Sequence, residues 1–235
     1  MSAQFGPAGN PAAFYAAGYK SSVDMPEWLS RLGLSAYEYQ CSKGVTIKEA
    51  TARKIGEKAR EFGISLSVHA PYYISLATED EEIAANTRRH ILRALEAAQW
   101  LGADRVVFHI GGQGKQERQT AIERAKERFS AILAEAEMRG LNTVKLAPET
   151  MGKQNQLGTL DEVLELCELA DWVIPTVDFG HLHAVTGGRY TTADEYAAVF
   201  AKVADRLGKE VAGKLHIHFS RIEFTKAGER RHWTF

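Results

Sequence analysis

Five stretches of this chain close on side chains that can hold a metal ion. Ser67-Val-His69 ends in His69 and runs on into Ala70-Pro71-Tyr72; Val107-Phe-His109 ends in His109 and runs on into Ile110-Gly111-Gly112. Leu146-Ala-Pro-Glu149 ends in Glu149, and Asp178-Phe-Gly-His181 carries Asp178 and His181 three residues apart. His216-Ile-His218 carries two histidines at alternate positions, which on a strand face one side of a sheet. His232 follows in the next loop. Histidine with carboxylate, and no thiolate, suits Zn²⁺, Mn²⁺ or Fe²⁺. Taken singly, each residue has a plainer reading. A strand-end histidine can be a hydrogen-bonded structural residue, Glu149 a loop residue after Pro148, Asp178 the cap of a turn. His183 reads equally as structural or as support for a ligand. The set argues for metal, because the segments that carry it are otherwise apolar and packing alone does not end each of them in a ligand.

Elements that could bring such residues together alternate along the chain. Strands are predicted near residues 3–5 and at 36–39, 65–69, 105–109, 143–149, 173–178 and 214–219. Between them lie helical patterns at 46–62, 80–101, 116–139, 159–170 and 192–207, with apolar residues three and four apart, such as Ile122, Ala125, Phe129, Ile132 and Ala136. Capping boxes open three of the helices, Thr46-x-x-Glu49, Thr159-x-x-Glu162 and Thr192-x-x-Glu195, and Gly63 ends the first. Repeated βα order with apolar strands predicts an α/β fold with a parallel sheet, a TIM (βα)8-type barrel. In such a barrel every strand C-terminus opens on one face, so residues remote in sequence converge. Seven strands are counted, so the barrel lacks its eighth βα unit in this chain. Residues 1–235 then form a single TIM-barrel domain that is incomplete at its C-terminal end, and the natural product is expected to continue past Phe235. An open doubly wound sheet is the alternative architecture, although no glycine-rich dinucleotide loop is present.

Bulk properties narrow the function classes. With 235 residues the chain is long enough for one large domain, and its net charge of −1 gives no global field for nucleic acid. A nucleic-acid partner would need a local basic surface or bound cations. The stretch Arg221–Arg231, with Arg221 and Arg230, reads as a solvated loop or as a phosphate contact. Cys41 and Cys167 lie in different segments and form neither a disulfide framework nor a Cys-rich zinc motif, which suits the cytoplasm. Apolar runs fall far short of a membrane span, and the N-terminus does not read as a signal peptide. Trp28, Trp100 and Trp172 read as packing residues.

The motifs around these candidates resemble the endonuclease IV family of apurinic/apyrimidinic endonucleases, within the xylose-isomerase-like TIM barrels. They are Ser67-Val-His-Ala-Pro-Tyr-Tyr-Ile-Ser-Leu-Ala77, Val107-Phe-His-Ile-Gly111, Glu149-Thr-Met-Gly152, Asp178-Phe-Gly-His181 and His216-Ile-His218, over roughly residues 60–235. The resemblance implies a monomeric DNA-repair hydrolase that cuts DNA at abasic sites with hydroxide generated by two or three Zn²⁺ ions. It implies that His69 and His109 serve one zinc, that Glu149 bridges toward a second and positions the nucleophile, and that Asp178 and His181 complete further coordination. His216 and His218 compete for one ligand position. His232 matches the histidine of the family's Asp-Arg-His loop, whose aspartate falls near Glu229 or Arg230 here. Tyr72 matches an aromatic that enters the damaged duplex. A sugar isomerase or epimerase of the same superfamily is the alternative, with one divalent metal and Glu149 as a base. A barrel that keeps metal without turnover is a third.

Overall fold

The alternation of strand and helix extends over most of residues 3–233, which the computed structural model describes. Helices α1 (Ala12–Ala16) and α2 (Met25–Arg31), joined by a 3-10 turn at Ser22–Asp24, precede the first strand. There follow β1 (Ala36–Gln40), α3 (Glu49–Phe62), β2 (Ser65–His69), α4 (Glu81–Leu101), β3 (Arg105–Phe108), α5 (Arg118–Met138), β4 (Lys145–Pro148), α6 (Leu160–Cys167) and β5 (Thr176–Asp178). Then come α7 (Phe179–Val185), α8 (Ala193–Leu207), α9 (Lys209–Gly213), β6 (His216–His218), β7 (Arg221–Thr225) and β8 (Gly228–Trp233). Strands β1 to β4 form one sheet in sequence order, β5 and β6 pair in parallel, and β7 and β8 form an antiparallel hairpin.

The described residues fall into two compact units. One takes in the described part of Met1–Tyr72 with Arg88–Phe108 and Glu135–Leu146. Here β1 and β2 pair in parallel from Ala36↔Ser65 to Gln40↔His69, and β2 pairs with β3. Helix α3 covers its core with Ala52, Ile55 and Ala59, all buried, and ends at Gly63 in the left-handed region (φ 68°). Gly56 lets α3 approach the end of α4 closely, since a Cβ there would stand 2.3 Å from the Leu101 carbonyl oxygen.

The second unit takes in Tyr73–Thr87, His109–Ala134 and the described part of Ala147–Phe235. One of its core clusters is Val177, Phe179, Leu182 and Val199, with Tyr190, Tyr196, Phe200 and Leu215 packed against them. The boxes at Thr159/Glu162 and Thr192/Glu195 both form, each threonine accepting from the glutamate N–H while the glutamate answers the cap's own N–H.

Four expectations need correction. Residues 3–5 are not a strand. The segment instead runs beside β1 through Phe5, Pro7 and Gly9, with one parallel bridge, Ala8↔Glu38. Pro7 has no N–H to extend that ladder. Thr46 does not cap α3, which starts at Glu49 with Lys48 extended before it and no side-chain cap; Ile47 is buried ahead of the helix. The stretch Arg221–Arg231 is not a loop but most of the β7–β8 hairpin, so His232 lies on a strand. Finally, the short helix α7 begins directly after Asp178, where the sequence pattern showed only a strand end. Seven residues are too few to display helical periodicity.

Candidate metal centre

Local structure explains why the ligand-type residues of the second unit face one another. Glu149 follows β4 and makes a parallel bridge with Thr176, which carries its backbone into line with β5. On the far side β5 pairs with β6 so that Asp178 lies opposite His218. Asp178 is also the N-cap of α7: one carboxylate oxygen accepts the His181 N–H at 2.8 Å. Asp-x-x-His is therefore the spacing from N-cap to N3. The cap turns the His181 ring back toward Asp178, whose second oxygen lies 3.6 Å from Nδ1.

Glu149 is 1% exposed, and histidines surround its carboxylate. One oxygen lies 2.8 Å from His218 Nδ1 and 3.6 Å from His181 Nδ1; the other lies 3.1 Å from His109 Nε2. Asp178 is buried too. Burial pushes its carboxyl above the ordinary value and Glu149 adds to that, while His181 and His218 oppose it. Next to this pair of acids, His181 Nε2 stands 3.1 Å from His232 Nε2, and Glu229 lies 3.5 and 3.6 Å from the same two nitrogens. One group that could hold an ion is Asp178, His181 and His232; another is Glu149, Asp178 and His218.

The donor chemistry fits a divalent cation. His181 Nδ1 lies 2.8 Å from the Thr150 carbonyl oxygen, which can only accept. A neutral His181 therefore carries its proton on Nδ1 and offers a lone pair at Nε2. His232 Nδ1 lies 2.6 Å from Ser220 Oγ, a hydroxyl that can serve it as donor or as acceptor. The two Nε2 atoms and the Glu229 carboxylate thus stand 3.1–3.6 Å from one another, each a possible metal donor. Those separations match the edge of about 3.4 Å that a tetrahedral ion with ligand bonds of ~2.1 Å imposes.

A family profile described as xylose isomerase-like TIM barrel matches residues 26–235. This chain belongs to the xylose isomerase-like TIM barrel family. Among its relatives, "Uncharacterized protein MJ0133" of Methanocaldococcus jannaschii is 37% identical over 97% of this chain and 80% of its own length. A "Probable endonuclease 4" of Sulfurihydrogenibium is 27% identical; the match covers 74% of this chain but only 63% of that protein. Among solved structures, D-psicose 3-epimerase of Clostridium cellulolyticum superimposes with a TM-score of 0.64 at 13% identity, over 88% of this chain and 82% of that one. At that identity the match speaks to the fold alone. The fold is the α/β TIM-barrel class read from the strand and helix pattern, in a family of enzymes.

Within this xylose isomerase-like chain the candidate residues are distributed unevenly. His109, Glu149, Asp178, His181, His218 and His232 come together in the second unit. His216 lies one turn of the pleat back, its ring centroid 5.2 Å from that of His218, and it is His218 that meets Glu149. His69 ends β2 in the first unit, buried, with Nδ1 2.9 Å from the Ala70 carbonyl oxygen. Tyr72 is 63% exposed after β2. Arg221 is exposed on β7, whereas Arg230 donates to Glu223 at 2.6 Å. His183 points its Nδ1 at the Tyr190 carbonyl oxygen (3.1 Å) and packs on Phe224.

Glu229 was not among the sequence candidates. Three residues before His232, it should face the other side of a regular strand. The hairpin register shifts between Glu223↔Arg231 and Phe224↔Glu229, leaving Arg230 as an extra residue. That bulge brings Glu229 and His232 back to one face. The available signal was the family's acidic residue ahead of the last histidine. A residue count alone could not choose between positions 229 and 230.

Proposed function

We propose that this protein is a metal-dependent phosphodiesterase that cleaves DNA at abasic sites, as endonuclease IV does. One observation carries the reading: Asp178 belongs to two adjoining ligand groups, with Glu149 and His218 on one side and His181 and His232 on the other. A shared carboxylate suits neighbouring cations, the arrangement that phosphoryl transfer uses to stabilise both attacking and leaving oxygens. An aldose or ketose isomerisation with one ion needs no such second group. The "Probable endonuclease 4" relative supports the same class.

On this reading His109, Glu149, Asp178, His181, His218, Glu229 and His232 hold divalent ions, zinc first among them by their nitrogen and oxygen donors. Such ions supply charge neutralisation at the phosphate and an acidified water. The chain's own part is orientation. The Thr150 carbonyl sets the His181 tautomer, Ser220 holds the His232 ring, and buried Glu149 places its carboxyl group between His109 and His218. Cations held at this site would attract a phosphodiester even though the chain's net charge is −1.

The test is a duplex with one labelled tetrahydrofuran abasic analogue, incubated with zinc-loaded protein, with and without chelator. The reading expects a single nick 5′ to the analogue, abolished by chelator and absent on undamaged duplex. Interconversion of a ketose such as D-fructose under the same conditions, with no nicking, would replace it with the single-metal isomerase or epimerase. Neither activity in metal-loaded protein would leave metal retention without turnover.

A further inference from the structure

We propose that Arg118 is a positioning residue: it clamps the loop between Glu149 and Thr159, and that loop carries β8 and so places Glu229 and His232 opposite His181. The inference rests on the reading of those three residues as a metal group.

The clamp is a single guanidinium with five acceptors, the most distant being Gln113 Oε1 at 3.5 Å from Nη1. Arg118 Nε and Nη2 donate to the two Glu162 oxygens at 2.5 and 2.8 Å. Nη1 donates to the Gln154 carbonyl at 3.1 Å, and Nη2 also reaches the Gln156 carbonyl at 2.9 Å. Glu162 answers from α6 by accepting the Gly158 and Thr159 N–H groups at 2.7 and 2.9 Å. Arg118 opens α5 and Glu162 lies in the first turn of α6, so the pair ties two helices to the second half of one loop, from Gln154 to Thr159.

The loop is bonded along both edges. On one edge Gln113 N donates to Asn155 O and Leu157 N to Gly111 O, with an antiparallel bridge Gly112↔Gln156. On the other, Glu229 N donates to Gly152 O at 2.7 Å and Gln154 N to Ala227 O at 3.2 Å, with an antiparallel bridge Lys153↔Gly228. The second edge is the turn of the hairpin. Glu229 thus takes its position from a backbone bond to this loop, and His232 follows three residues later on the same strand. Contact there is close. A Cβ on Gly152 would stand 2.8 Å from Glu229 Cβ and 2.9 Å from His181 Cδ2, so small movements of the loop change the His181–Glu229 separation directly. Only arginine can serve. Lysine keeps the charge but lacks the planar fork that spans a carboxylate and two carbonyls at once.

The experiment compares Arg118→Met, Arg118→Lys and Glu162→Gln with the full chain, using Co²⁺ titration followed by visible absorption and site-resolved amide hydrogen exchange. In Arg118→Met and Glu162→Gln, the Gln154 and Glu229 amides should exchange about tenfold faster or more, while Val177 and Ile217 keep their protection. Co²⁺ bound by the His181–His232–Glu229 group should weaken by roughly 10- to 100-fold, the usual effect of removing a residue that orients a ligand. Arg118→Lys should fall between. The proposal is overturned if both lesions leave those amides and Co²⁺ affinity within about twofold of wild type. It is equally overturned if protection falls everywhere alike, which is a merely structural role. If Arg118→Met does not fold, Glu162→Gln decides. A wild-type chain that binds no Co²⁺ at these histidines sinks the metal reading of the site, and the exchange data then still decide whether Arg118 sets the hairpin.

Discussion

Glu149 is the residue on which the proposed chemistry turns, because each of its oxygens meets a histidine nitrogen and almost none of it reaches solvent. Replacing it with glutamine keeps the shape and removes the charge. Two rings that faced an anion would then face a neutral amide, and cations would lose a shared ligand. Glu149→Gln should stay folded, with activity on the abasic duplex reduced by about 10²–10³, the cost of losing one preorganised electrostatic group. Steady-state kinetics with parallel elemental analysis check this. A change under about tenfold, equal to ~1.4 kcal/mol, would remove Glu149 from its assigned role.

At the scale of elements, the β8 bulge makes a prediction with two opposite arms. Arg230 is the extra residue of the hairpin. Deleting it leaves Glu-x-His on a regular strand, where residues two apart share a face. That variant should keep its metal content. Inserting one alanine beside Arg230 should instead turn Glu229 and His232 to opposite faces and lose the ion they hold. Metal analysis of the two proteins settles the matter, and equal loss in both would show that the bulge itself is needed. The α6 terminus carries a pH signature. Burial works to raise the Glu162 carboxyl, but Arg118 and the Gly158 and Thr159 N–H groups outweigh it and hold it below its ordinary value of 4.5. A depressed folded-state value means stability that is complete above the unfolded value and is lost as pH falls through the folded one. Denaturant titrations of metal-free protein should show stability falling below the ordinary carboxylate range, with that component missing from Glu162→Gln. Parallel acid profiles for the two would contradict the assignment.

For the whole molecule, metal and stability should be linked. An ion that binds only the folded chain at 100 times its dissociation constant adds about 2.7 kcal/mol, or roughly 5–10 °C in Tm for a domain of this size. Chelation should therefore lower Tm, zinc should restore it and magnesium, which favours all-oxygen sites, should not. An unchanged Tm on chelation would argue against a resident metal at these residues. Much of this protein is determined locally and was open to reading in one dimension. Strand and helix periods, the glutamate-closed capping boxes at Thr159 and Thr192, and the placing of His109 and Glu149 directly after strands and of Asp178 at the end of one depend on near neighbours. Where local rules met non-local ones, the tertiary structure decided. Pro7 leaves a would-be strand as a single bridge, and Thr46 yields the α3 cap to a backbone still extended at Lys48. The choice of His218 for contact with Glu149 comes from the β5–β6 register, and the place of Glu229 beside His232 from a bulge that pairing imposes. A sequence specifies what each residue can donate or accept. Which donor meets which acceptor depends on strand register, and register is set by partners far away in the chain.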